Sequence, residues 1–100
     1  MKQTIEFVKH IDEANRHYRQ PELGLYKIGK NYFIDYASPN DIELHLNNKA
    51  ISKTIWYGGG IFLKGKMFDC NKRIQFDDFI FFSVIWIGDE LAVMEFFSNL

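Results

Sequence analysis

Apolar and polar residues recur along this chain with two different periods, and the switches between them mark out its elements. In residues 3–19, Phe7, Ile11, Ala14 and Tyr18 fall at i, i+4, i+7 and i+11. That spacing is one face of a helix at about 3.6 residues per turn, widened by Ile5 and Val8. It predicts an N-terminal amphipathic helix closed by Pro21, because the residue before a proline is pushed out of the helical region. The period then drops to two. Leu23, Leu25 and Tyr26–Ile28 lead into the turn-type cluster Gly29-Lys30-Asn31, and Tyr32–Tyr36 follow. This is the pattern of a β-hairpin with a short loop.

Residues 38–48 carry two competing signals. Ser38, Pro39 and Asp41 make a helix start, with a capping hydroxyl, proline in the first turn and an acid three residues after the serine. Ile42, Leu44 and Leu46 nevertheless alternate with Glu43 and His45 as in a strand, and Asn47-Asn48 ends the run as a turn. The alternation favours a strand, with a short helix as the alternative. Further strands are expected at 50–57, 61–69 and 73–76, with Gly58-Gly59-Gly60 interrupting the series.

The most apolar stretch is 79–97, two runs joined by Gly88-Asp89. This dipeptide suits a two-residue hairpin loop. Pairing through it would set Trp86 opposite Leu91 and Val84 opposite Val93, giving a hairpin apolar on both faces. An exposed antiparallel hairpin would alternate instead, so these strands must be central or covered from outside the chain. A helix over 89–99, capped by Asp89, is the alternative. The expected fold is α+β, a single domain over 1–100. Its N-terminal helix packs on a curved, antiparallel, meandering sheet of five to seven strands.

Composition changes this picture in one respect. Ten Phe, five Tyr and two Trp are more ring surface than a small core strictly needs, so some rings are expected at a binding surface. The net charge of −1 lacks the basic excess expected of a nucleic-acid binder. The only cysteine, Cys70, excludes an internal disulfide and fits a reducing compartment. No apolar signal segment opens the chain, and Asp89, Glu90 and Glu95 break the longest apolar window. A cytoplasmic protein without a membrane span is expected.

The chemistry-bearing candidates each have a plain structural account. Glu6, His10, Glu13 and His17 share one face of the expected helix, as metal ligands would. A solvated face beside an apolar stripe looks the same. Cys70 lies next to Asp69, which opposes thiolate formation. Gly58–Gly60 precede a strand, whereas phosphate loops precede a helix. Trp56, Tyr57, Phe62, Phe68 and Trp86, interleaved with Lys64, Lys66, Lys72 and Arg73, have the elements of a base-stacking platform. No cofactor motif, metal set or nucleophile motif stands out.

By elimination the sequence favours a non-catalytic protein-binding module, an inhibitor of immunity or anti-defence type. Trp56 and Tyr57 would anchor it, and Asp69, Asp77, Asp78 and Asp89 would meet a basic partner such as a toxin or nuclease. A homodimer is compatible with the same features. A small-ligand binder or enzyme with a pocket near Trp56 and Gly58–Gly60 is the first alternative. A single-stranded nucleic-acid binder is the second.

Overall fold

The computed structural model describes residues 4–11, 22–47, 60–75 and 81–100. Strands β1 (Ile5–Ile11), β2 (Leu23–Ile28) and β3 (Asn31–Tyr36) come first, then helix α1 (Pro39–Leu46). Strands β4 (Gly60–Leu63), β5 (Lys66–Asp69), β6 (Lys72–Gln75) and β7 (Phe81–Gly88) follow, and helix α2 (Glu90–Ser98) comes last. Five strands form one antiparallel sheet in the order β1-β2-β3-β7-β6. β4 and β5 form a separate two-stranded hairpin. The fold is α+β, and its seven described strands do not make one sheet.

The N-terminus departs from the helix that its spacing predicts. Residues 5–11 form a strand, and the rest of the expected helix lies outside the described residues. A β-bulge explains the misleading spacing. Phe7 pairs with Tyr26, but Lys9 pairs with Leu25, so Val8 is an extra residue. One extra residue flips every later side chain to the opposite face. Ile5 and Phe7 therefore share a face with Tyr26, while Ile11 joins Leu23 and Leu25 on the other. A bulged strand buried at both ends imitates the four-residue step of a helix.

The β2–β3 hairpin forms as its alternation predicts. Its register runs from Leu23–Tyr36 to Ile28–Asn31, across the loop Gly29-Lys30. Gly29 takes φ 61, a conformation that suits glycine. The β4–β5 loop, Lys64-Gly65, has positive φ at both positions, the geometry that matches strand twist in tight hairpins.

Both ambiguous segments are helices. Ser38 caps α1, its Oγ accepting from the Asp41 N–H and donating to Asp41 Oδ2 at 2.5 Å. The alternation of Ile42, Leu44 and Leu46 misleads because α1 turns Asp41 and His45 inward and leaves Leu46 exposed. Asp89 caps α2, its Oδ1 accepting from the Ala92 N–H at 3.0 Å. Gly88-Asp89 is thus a strand-to-helix junction and not a hairpin loop. Trp86 lies opposite Phe33, not Leu91, and Ile85 lies opposite Ile34.

The sheet carries a core on each face. One consists of Ile5, Tyr26, Ile28, Phe33, Ile74, Phe82 and Val84, with Ile42 and Leu44 of α1 packed on it. The other unites sheet residues such as Leu25, Ile34 and Ile85 with Ile61 and Leu63 of β4 and with Val93, Phe96 and Phe97 of α2. The strand expected to be apolar on both faces is indeed covered on both, and the chain supplies both covers. Aromatic side chains account for much of this: Tyr26, Phe33 and Phe82 are fully buried.

Gly24 shows how tightly the first face closes. A Cβ there would stand 2.6 Å from the Ala37 Cβ and 2.7 Å from Phe7 Cε1. The Ala37 atom cannot swing away, since Ala37 is held by its N–H to the Glu22 carbonyl at 2.7 Å. Gly24→Ala should therefore destabilise the protein by about 1–3 kcal/mol, the range for overpacked cores. Urea denaturation at equilibrium measures it, and an unchanged midpoint would contradict this packing.

Candidate functional site

The most reactive-looking side chains among the described residues lie inside the first core. Asp35 is on the same face of β3 as Phe33, and His45 is on the inward face of α1 one turn after Asp41. His45 Nε2–H donates to Asp35 Oδ2 at 2.9 Å, and Asp35 Oδ1 accepts from the Tyr36 N–H at 2.8 Å. The imidazole lies among three rings, with centroids 4.2 Å from Phe82, 4.5 Å from Tyr26 and 5.7 Å from Phe33. The Tyr26 hydroxyl donates to the Tyr36 carbonyl at 2.6 Å.

An aspartate holding a histidine supplies two of the three members of a catalytic triad. Here, however, the histidine is 0% exposed and the aspartate 1%, so no substrate atom reaches the imidazole. The pair instead joins α1 to the centre of the sheet. The same burial, followed by the negative charges of Asp35 and Asp41, pushes the Tyr26 hydroxyl far above its ordinary pKa.

Of the sequence-derived site residues, Trp56, Tyr57, Gly58, Gly59, Asp77 and Asp78 lie outside the described residues. Asp69 ends β5 and is exposed, and Asp89 is occupied in capping α2. Glu6 and His10 stand on a strand, which removes the helical face that would have aligned them with Glu13 and His17. Among the described residues no group of three or more metal-binding side chains comes together. Cys70 is half-buried and packs against the second core. No helix among the described residues is long and apolar enough to cross a membrane.

Two surface grooves, both touching Trp86, have opposite chemistry. The first, about 390 Å³, runs between the end of β5, β7 and α2. Its walls include the carboxylates Asp69 and Glu95 and the rings of Phe68 and Phe96, whose centroids are 5.5 Å apart. The second, about 500 Å³, lies between the β2–β3 loop and β6. Lys30, Lys72 and Arg73 line it with Trp86, and no carboxylate among the described residues does. Asn71 braces the strip between them. Its side-chain Oδ1 accepts from the Trp86 N–H at 2.8 Å and its backbone N–H donates to the Val84 carbonyl at 3.0 Å. Asn71 thus continues the β6 ladder along β7.

The chain matches no family model, no curated protein and no solved structure.

Removing either member of the buried pair strands the other. Asp35→Ala should cost about 3–5 kcal/mol. A double-mutant cycle with His45→Ala should show a coupling of about 1–3 kcal/mol. Additive effects in chemical denaturation would refute the direct bond. A separate expectation concerns base. The folded chain holds the Tyr26 proton more tightly than the unfolded chain does, so this contribution is complete below pH 10.0, the ordinary phenol value, and is lost as pH rises past it. Stability measured across that range should fall, and Tyr26→Phe should remove up to about 1.4 kcal/mol per pH unit of the slope.

Proposed function

We propose that this chain is a non-catalytic module that binds another protein, receiving a basic side chain of that partner in the groove beside α2. The supporting observation is the lining: Asp69 and Glu95 stand around a concavity whose other walls include Phe68 and Phe96. A lysine or arginine buries an aliphatic stem along apolar surface while keeping its charge in a polar setting. A groove with aromatic walls and two carboxylates suits both parts. Arginine adds a planar fork that matches a carboxylate and stacks on rings.

In this reading the acidic contact differs in part from the one expected from the sequence. Asp69 remains, Glu95 joins it, and Asp89 is better explained as a helix cap. An inhibitor of immunity or anti-defence type fits such a surface, because blocking a basic functional site requires complementary charge and shape without chemistry. The sealed Asp35–His45 pair is consistent with that reading, since it serves packing. Leu91 and Met94, exposed on the outer side of α2, offer apolar contact area next to the groove-lining helix face.

The test is charge reversal. Tagged protein expressed in its native host should co-purify with a basic protein. Asp69→Lys with Glu95→Lys should weaken that complex by about tenfold or more, mainly through faster dissociation. Both positions are exposed, so folding should survive, as circular dichroism would verify. A complex indifferent to the double reversal would rule out this groove.

A further inference from the structure

The second groove has a chemistry that the protein-binding reading does not use. Strand register places Ile28, Asn31, Ile74, Lys72 and Trp86 on one face of the sheet, the face that also carries α1. Trp86 is only half-buried there, in contrast to the fully buried Phe33 beside it. The two rings lie nearly parallel, 6.5 Å between centroids. Lys72 Nζ stands 3.9 Å from the centre of the Trp86 ring. Lys30, in the tight β2–β3 loop, closes the other side, and Arg73 lines the β6 rim. The result is a half-open groove with an aromatic and aliphatic floor, cationic walls and the amides of Asn31 and Gln75.

We propose that this groove binds a nucleotide unit, either free or within a single strand. Lys30 and Lys72 take its phosphate, and its base lies on Trp86. Three physical points support the assignment. Lys30 and Lys72, with no carboxylate among the described lining residues, favour a phosphate over a neutral ligand. An indole at the floor of a cationic groove is the element on which bases stack. The volume is that of a small-molecule site. Lys72 has a defined part in the exchange. In the free protein its ammonium covers the ring, and on binding it moves to the phosphate and yields the ring to the base. The near-neutral whole-chain charge does not oppose this, because charge is segregated locally: carboxylates line the groove on one side of Trp86 and cations the groove on the other.

Titration of the full chain with thymidine monophosphate and with a single-stranded oligothymidylate tests the proposal. The Trp86 indole N–H signal in the NMR spectrum, identified by its loss in Trp86→Phe, is the readout. A saturable shift with either probe supports the site, and the probe that binds more tightly tells a free nucleotide from a strand. Lys30→Gln with Lys72→Gln should weaken binding by about tenfold or more. For the strand, raising salt about fourfold should weaken binding severalfold, as expected for about two phosphate contacts. An unmoved Trp86 signal with both probes, or equal affinity in the lysine variant, overturns the assignment. The carboxylate-reversed variant Asp69→Lys, Glu95→Lys should retain the Trp86 response, which separates this site from the protein-binding groove.

Discussion

The bond between His45 and Asp35 is the constraint from which the rest of the architecture follows. It crosses from the helix to the middle of the sheet, inside a box of aromatic rings. A hydrogen bond to a charged group in such surroundings is strong, and the same surroundings make its absence costly. A register of α1 that missed Asp35 would leave a carboxylate and an imidazole without water or each other. The helix therefore has one acceptable seat. That seat places the Ser38 cap at the end of β3 and carries Ile42 and Leu44 onto the first core.

The sequence was legible where one local signal stood alone. Alternation and Gly29 identified the β2–β3 hairpin without competition. It was misread where two signals overlapped. Val8, as an inserted residue, turned a strand into a helix-like pattern. Ser38-Pro39-Asp41 announced a helix correctly, but the side chains of α1 contradicted it, because the buried face carries an acid and a histidine. At Gly88-Asp89 a hairpin turn and a helix cap share the same residues. The stretch Glu90–Glu95, rich in good helix formers, was the signal that distinguished them. In the sequence His45 is only a polar position in an alternating run, because its partner lies ten residues back on another element. Identifying that pair needed α1 as a helix first. The grooves beside Trp86 were less accessible still. They join a hairpin loop, an edge strand and a helix that sequence spacing alone does not bring together.

The two covered faces change where function is sought. A strand apolar on both sides first suggests an unfilled surface awaiting a partner. Here α1 fills one side, and α2 with the β4–β5 hairpin fills the other. The rings of Tyr26, Phe33 and Phe82 are accounted for by packing. Trp86 is different, because it is half-buried and flanked by cations on one side and a carboxylate-bearing groove on the other. Function in this molecule is therefore better sought in local charge segregation than in spare apolar area.

The sheet order has a further consequence, for how the chain is made. β1, β2, β3 and α1 come from the first half of the sequence, and β4 to β7 with α2 come from the second. Within the described sheet the halves meet along one ladder, β3 with β7. Each core nevertheless draws on both: Phe33 with Phe82 on one face, Ile34 with Ile85 on the other. On the ribosome, α1 can cover one face of the nascent hairpin early, but neither core is complete until β7 has emerged. The strand that enters both cores is thus made late in synthesis, and α2 follows it to finish the second.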